Sequence, residues 1–135
     1  MLKVCRRTTF NSAHRLFRPD WSDEKNESVY GKCNNPNFHG HNYTLEVWVE
    51  GEIDQETGYL IDLKILKEII RKEVLERFDH RNLNLDCPEF ANLIPTAENI
   101  AFVIYGIICA HLDPKYKIGI KLWETENNSV FYGEN

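Results

Sequence analysis

The sequence lacks the features that mark several protein classes. Its four cysteines, Cys5, Cys33, Cys87 and Cys109, include no CxxC pair, a distribution that fits neither a disulfide framework nor a thiolate zinc cage. No stretch of about eighteen apolar residues is present, and the first residues do not resemble a signal peptide. Because free thiols suggest a reducing compartment, we expect a soluble cytoplasmic protein.

Basic charge is also scarce. Sixteen Lys and Arg oppose 21 Asp and Glu, for a net charge of −5, and no basic cluster provides the contacts that a nucleic-acid backbone requires. What is present suits a folded domain, since 42% of the 135 residues are hydrophobic and 12% are aromatic. We therefore expect a single domain over residues 1–135, with no nucleic-acid partner and no membrane partner.

Hydrophobic periodicity predicts four strands and two helices. Residues 18–37 are rich in turn-forming types and predict a long surface loop. The predicted elements, in order, are strands over residues 2–10 and 41–50 and helices over residues 62–78 and 96–112, followed by a hairpin. The first strand of the hairpin alternates over residues 117–122 and continues through 124–126 to a turn at 127–128, and the second covers residues 130–132.

The order ββααββ predicts an α+β fold, in which four antiparallel strands form one sheet and both helices lie on one face of it. The other face of such a sheet lacks cover within the chain. We therefore expect self-association of so small a protein.

His39-Gly40-His41 is the strongest chemical feature of the sequence. Two imidazoles two residues apart at the start of a strand point to the same face and can share one metal ion, although two surface histidines would give the same pattern. His14 lies in the segment of residues 10–16 at the end of the first predicted strand, where an antiparallel neighbour could bring it beside the pair. Three histidines without a fourth protein ligand would describe a catalytic zinc site.

A candidate nucleophile or base precedes this motif. Cys33 lies in a polar loop six residues before His39, and a thiol needs a nearby cation or base to form a thiolate near neutral pH. Asp79 and His80, at the end of the first predicted helix, form a carboxylate–imidazole pair that could supply it. The alternative is that the pair only caps the helix.

Glu124 and Glu126 lie on the penultimate predicted strand, on one face. Strand carboxylates are usually just solvated. A carboxylate in a pocket, however, accepts two parallel hydrogen bonds from a planar amidine-like edge, such as that of a pterin or guanine.

In combination, these motifs resemble the 6-pyruvoyltetrahydropterin synthase family. The resemblance spans nearly the whole chain in order and is much more specific than any one motif. It is carried by residues 10–16 (FNSAHRL), Cys33 with five residues before HGHNY at 39–43, DHRNL at 79–83, PTAEN at 95–99 and WET at 123–125.

The resemblance implies a T-fold, in which trimers close their sheets into a barrel and two trimers stack into a homohexamer with active sites between subunits. It implies that three histidines, His14, His39 and His41, bind a catalytic Zn²⁺. It also implies that Cys33 is a general base activated by Asp79 and His80. Glu124 would anchor the pterin ring and could do so at the zinc site of a neighbouring subunit, and Thr96 would belong to the pterin-pocket segment.

The implied substrate is 7,8-dihydroneopterin triphosphate, which a zinc-dependent carbon–oxygen lyase converts with loss of triphosphate. The five residues between Cys33 and His39 favour the pyruvoyl product of tetrahydrobiopterin biosynthesis. The family also includes 6-carboxytetrahydropterin synthases of queuosine biosynthesis, which release acetaldehyde and remain an alternative. A non-catalytic pterin- or purine-binding module is a second alternative, and a zinc hydrolase is a third that lacks its expected carboxylate base.

The chain departs from the family pattern at two positions. Phe38 precedes His39 where glycine is frequent, and Ala97 follows Thr96 where a hydroxyl residue is common. Either change could alter contacts with the substrate without affecting the metal ligands.

Overall fold

The computed structural model describes residues 1–133 of the chain. Five strands form one sheet in the order β3-β1-β2-β4-β5. They are β1 (Leu2–His14), β2 (His39–Gly51), β3 (Arg81–Asn82), β4 (Lys117–Trp123) and β5 (Ser129–Gly133). The helices are α1 (Asp23–Tyr30), α2 (Leu63–Ile70), α3 (Glu76–Phe78), α4 (Leu83–Asp86) and α5 (Ala97–Ala110).

The long strands β1 and β2 form the centre of the fold. They pair antiparallel along their whole length, from Leu2 opposite Gly51 to His14 opposite His39. β1 therefore continues four residues beyond its predicted end at Phe10, because β2 supplies hydrogen-bonding partners up to that point. On β2 every second side chain is fully buried, from Tyr43 to Val49, as predicted from the alternation of apolar residues.

Both predicted helices are confirmed and cover the buried face of the sheet. α2 begins after Asp62, whose side chain accepts a hydrogen bond from the Lys64 amide, and it continues through a π-helical turn, Arg71–Leu75, into α3. α5 begins after Thr96, which caps it through the Asn99 amide. Their buried apolar residues pack with those of β2 and β4 into one core. The predicted C-terminal hairpin is also confirmed, as β4 and β5.

The prediction of four antiparallel strands with two helices is wrong in two respects. A fifth strand, β3, pairs parallel with β1 at Ser12 and Ala13, so the sheet is mixed. Two residues are too few to show a period, so no pattern in the sequence predicts β3. Short helical segments also accompany the two predicted helices, and among them α4 directly follows β3.

The predicted loop over residues 18–37 contains helix α1 and the 3-10 turn Gly31–Asn34. α1 has no apolar stripe, and only Asn26 in it is buried. Its signals are local: Ser22 accepts a hydrogen bond from the Lys25 amide, and Asp23 and Glu24 follow in the first turn. The overall composition of the segment predicts a loop and does not reveal these capping residues.

None of the helices within residues 1–133 combines the length and the apolar character that crossing a bilayer demands.

Candidate metal centre

Strand pairing brings three imidazoles together at one end of the sheet. His14 on β1 lies opposite His39 on β2, and His41 lies two residues further along β2, on the same face. One ligand nitrogen from each ring lies within 4.8 Å of the others. The structure therefore places His14 beside the His39-Gly40-His41 motif, as the sequence suggested.

One nitrogen on each of the three rings has no hydrogen-bond partner. These atoms, His14 Nε2, His39 Nδ1 and His41 Nε2, are buried, whereas buried polar atoms in proteins are nearly always paired. His14 Nδ1 lies 2.7 Å from the carbonyl oxygen of Pro95 and donates to it, which leaves the lone pair on Nε2 free. A metal ion bound by the three rings would satisfy all three nitrogens, so the residues fit a metal.

Burial also keeps two of these imidazoles, those of His14 and His39, in the form that binds metals. Burial, opposed by the hydrogen bond to Pro95 and aided by the neighbouring rings of His39 and His41, lowers the pKa of His14 to about 4. Burial and the neighbouring His41 also lower the pKa of His39. Both rings are therefore neutral at pH 7, and only a neutral imidazole is a metal ligand.

Tyr43 supports the cluster from within the core, a role that the sequence reasoning missed. Its side chain is fully buried, its ring stacks on Phe10 at 5.0 Å, and its hydroxyl lies 3.4 Å from His14 Nδ1. Burial raises its pKa, so it stays a neutral phenol. The signal was present in the sequence, because Tyr43 follows His39 and His41 at the two-residue period of β2.

Glu124 is the carboxylate beside the cluster. Its Oε1 lies 3.8 Å from His41 Nε2 in the same chain. Among residues 1–133, however, the group of mutually close ligand atoms consists of the three histidines alone. A site with three protein ligands leaves a position open for water or substrate, which is typical of catalytic rather than structural zinc sites.

Glu124 and Glu126 do not lie on the penultimate strand, contrary to the sequence prediction. β4 ends at Trp123, and the next residues form a turn in which the Thr125 hydroxyl accepts hydrogen bonds from the amides of Asn127 and Asn128. The Glu124 amide donates to the Asn128 carbonyl at 3.2 Å. Hydrogen bonds within the turn replace those of the strand after Trp123, so the two-residue period of a strand no longer sets the directions of the Glu124 and Glu126 side chains.

Cys33 is half-buried in the 3-10 turn Gly31–Asn34. Its carbonyl oxygen accepts a hydrogen bond of 2.8 Å from the amide of Leu16, two residues after His14. The turn that carries the thiol is thus tied to the strand that carries a candidate metal ligand.

Asp79 and His80 form a pair at the edge of β1. Asp79 Oδ1 lies 3.0 Å from His80 Nδ1 and accepts a hydrogen bond of 2.8 Å from the Asn11 amide. Partial burial acts to raise the pKa of Asp79, but the hydrogen bonds from Asn11 and His80 outweigh it and lower the pKa. His80 adopts a positive φ of 59°, and its side chain is 82% exposed.

The Cys33 thiol and the Asp79–His80 pair are not joined within one chain. Over residues 1–133, no hydrogen bond or ion pair links the Cys33 thiol to Asp79 or His80. The exposed imidazole of His80 is instead available to groups outside this chain.

The segment that includes Thr96 contacts the cluster through its backbone. Thr96 Oγ1 accepts from the Asn99 amide at 3.2 Å as the cap of α5, and the carbonyl oxygen of the preceding residue, Pro95, accepts from His14.

Phe38, immediately before His39, has a positive φ of 69°. Glycine adopts that conformation without strain, which explains why it suits this position.

The fold and the cluster together define an α+β protein with a three-histidine cluster that could hold a metal ion. The sequence profile described as 6-pyruvoyl tetrahydropterin synthase matches residues 3–135. The 6-pyruvoyl tetrahydrobiopterin synthase of Homo sapiens is 42% identical over 130 residues, which cover 96% of this chain and 90% of the human protein. The solved structure of Caenorhabditis elegans 6-pyruvoyl tetrahydropterin synthase superposes with a TM-score of 0.92 at 34% identity, covering 99% of this chain and 96% of the other.

This chain belongs to the 6-pyruvoyl tetrahydropterin synthase family. A more distant relative is the 6-carboxy-5,6,7,8-tetrahydropterin synthase of Rickettsia typhi, which is 29% identical over 145 residues and aligns with 94% of this chain and 96% of its own length.

Proposed function

We propose that this chain is a zinc-dependent 6-pyruvoyltetrahydropterin synthase, a carbon–oxygen lyase that acts on 7,8-dihydroneopterin triphosphate and eliminates triphosphate. The observation that carries the proposal is the cluster of three buried, unpartnered imidazole nitrogens that leaves a coordination position open. The similarity of the whole chain to the human 6-pyruvoyl tetrahydrobiopterin synthase supports the choice of substrate.

His14, His39 and His41 would hold the metal. Imidazole nitrogens suit zinc well, and no thiolate is among the ligand atoms of this group. When bound, Zn²⁺ would supply Lewis-acid polarisation of the substrate side-chain oxygens, which makes the neighbouring carbon–hydrogen bond more acidic.

Cys33 would act as the general base that removes and returns protons on the substrate side chain. Asp79 and His80 would assist it, because a carboxylate that accepts from imidazole Nδ1 orients the ring and stabilises its charged form. Since these residues are not joined within one chain, we propose that His80 completes the site of a neighbouring subunit.

Glu124 would anchor the pterin. Its carboxylate lies beside His41 and can accept two parallel hydrogen bonds from the amino group and ring N–H of the pterin. A pterin held there would place its side chain next to the metal ligands. Thr96, whose neighbour Pro95 contacts His14, would line the same pocket.

A site shared between subunits requires an assembly, and we propose a homohexamer made of two trimers. The terminal strand β5 offers a free edge for pairing with another chain. Light scattering should then give a mass about six times the 15.9 kDa of the chain, and a stable monomer would contradict the shared site.

The deciding experiment is a product analysis. Zinc-loaded protein is incubated with 7,8-dihydroneopterin triphosphate, and the pterin and any acetaldehyde are identified by mass spectrometry. A pyruvoyl product without acetaldehyde supports the proposal. Tight pterin binding without turnover would instead support a non-catalytic pterin-binding module.

The second candidate is 6-carboxytetrahydropterin synthase of queuosine biosynthesis, favoured by the similarity to the rickettsial enzyme. It uses the same substrate and the same metal site, so only the product distinguishes it. A carboxy product with one equivalent of acetaldehyde would establish this activity and overturn the first proposal.

A further inference from the structure

The side chain of Arg15 is bound to the turn that carries Cys33. Its Nε donates to the carbonyl oxygen of Asn34 at 2.8 Å, and its Nη2 donates to the side-chain oxygen of the same residue at 3.1 Å. The guanidinium lies 4.0 Å from the centre of the Phe17 ring. One arginine thus makes two hydrogen bonds to the residue after Cys33 and is braced on its other side by an aromatic ring.

The backbone of Arg15 is bound to a different segment. Its amide donates to Asn84 Oδ1 at 2.8 Å, and its carbonyl oxygen accepts from Asn84 Nδ2 at 2.9 Å. Asn84 belongs to α4, which follows β3 and the Asp79–His80 pair in the chain. A single residue therefore joins the end of β1, the Cys33 turn and the segment after His80.

Arg15 also lies next to the candidate metal centre in the chain. Arg15 directly follows the candidate metal ligand His14, and the next residue, Leu16, binds the carbonyl of Cys33. The bond from Leu16 is one attachment of the turn to the segment that follows β1. The two bonds from Arg15 add a second attachment to that segment one residue further along, at Asn34, and so restrict movement of the turn relative to His14.

We propose that Arg15 is a positioning residue that fixes the Cys33 turn relative to His14. It would act through Asn34 and not on the substrate itself. The planar fork of a guanidinium matches the two oxygens of Asn34, and the single ammonium group of lysine does not reproduce that geometry, so we expect lysine to replace arginine only in part. The inference deepens the proposed function, because it takes Cys33 to be the base of that reaction.

The test compares Arg15→Ala and Arg15→Lys with the control Arg18→Ala. Arg18 lies in the same segment and also makes two hydrogen bonds to one residue, but that residue is the exposed Asp20. The control thus removes the same charge and a similar pair of guanidinium hydrogen bonds, while the contacts of residues 33–34 stay unchanged. Zinc content and thermal midpoint are recorded for every variant.

Misplacing a base by about 1 Å costs up to about 100-fold in rate. We therefore expect Arg15→Ala to lower kcat about 10- to 100-fold, with KM changed less than about threefold and zinc content at the wild-type value. Arg15→Lys should restore only part of kcat. A wild-type kcat in Arg15→Ala, a loss that follows zinc content, or an equal loss in Arg18→Ala would overturn the proposal.

A second readout does not depend on turnover. The rate at which iodoacetamide alkylates Cys33, followed by peptide mass spectrometry, should rise in Arg15→Ala and stay unchanged in Arg18→Ala, because the loosened turn exposes the thiol. If wild-type protein shows no turnover, the proposed function fails, while the alkylation rates still decide the role of Arg15. An unchanged rate in Arg15→Ala would then reject it. If Arg15→Ala does not fold, Arg15→Lys provides both comparisons.

Discussion

His39 and Cys33 lie six residues apart and are assigned different tasks. His39 has a buried ring nitrogen without a partner, whereas Cys33 lies outside the group of ligand atoms. We expect His39→Ala to weaken zinc binding by more than about 100-fold. Loss of a residue that only hydrogen-bonds a metal ligand can already weaken metal binding by up to about 100-fold. Cys33→Ala should keep full zinc content and lose about 10²- to 10⁴-fold in turnover. Metal analysis and steady-state kinetics on both variants check this, and normal turnover of Cys33→Ala would exclude the base.

The carboxylate of Glu124 allows a separate test of pterin binding. A hydrogen bond to a charged group is worth about 1.5–3 kcal/mol, so Glu124→Gln should weaken substrate binding about 10- to 100-fold with zinc content unchanged. Equilibrium binding of the substrate measures the change. Glu126→Gln is the matched control, because Glu126 is exposed in the same turn. Equal affinities in the two variants would refute the anchor role.

Phe38 carries backbone strain next to the metal ligands. A side chain at a positive φ costs about 1–2 kcal/mol, and Phe38 has a φ of 69°. Phe38→Gly and Phe38→Ala both remove the ring, but only glycine relieves the strain. The free energy of unfolding from urea denaturation should therefore be about 1 kcal/mol higher for the glycine variant. If alanine is as stable as glycine, the strain is absent.

At the scale of elements, two helix caps have similar geometry and different neighbours. Asp62 caps α2 and Thr96 caps α5, so Asp62→Ala and Thr96→Ala should each cost about 1 kcal/mol of stability. Only the cap of α5 adjoins Pro95, whose carbonyl orients His14. We expect Thr96→Ala alone to weaken zinc binding as well, by up to about tenfold. Chemical denaturation and competition with a metal chelator measure the two effects, and equal zinc affinities would show that the cap and the cluster are independent.

The elements that the sequence predicted correctly are those with long periodic patterns. β2 alternates over its buried half, and α2 with the π-helical turn after it presents Leu66, Ile70 and Val74 to the core. The elements it missed are α1, which has local polar caps in place of an apolar period, and β3, which is two residues long. β3 forms because β1 supplies its partners, and no local period records either element.

The whole molecule should lose stability in acid when the metal is removed. The buried His14 has a pKa of about 4, against an ordinary value of 6.5, so the unfolded chain takes up a proton at this residue before the folded one does. The free energy of unfolding is therefore highest above pH 6.5 and falls as the pH drops from 6.5 to 4, by about 3 kcal/mol from this group. Urea unfolding in the presence of chelator across this range measures the fall.

His14→Asn should flatten that pH dependence, because it removes the buried imidazole whose pKa is lowered. A steep fall that persists in His14→Asn would assign the effect to other groups. Added zinc should raise the stability at pH 7 by mass action, and this gain should vanish toward pH 4, because protons compete for the ligand nitrogens.

The sequence alone determined the α+β class, the two long helices and the hairpin, and it singled out the candidate metal ligands, because periodicity and motif spacing are local properties. It also indicated the family, through several motifs in a fixed order. Only the tertiary structure decided that His14 lies opposite His39, that Pro95 and Tyr43 contact His14, and that Arg15 joins the Cys33 turn to α4. These contacts join residues distant in the chain, so they depend on the strand register and on loop closure, which no local pattern encodes.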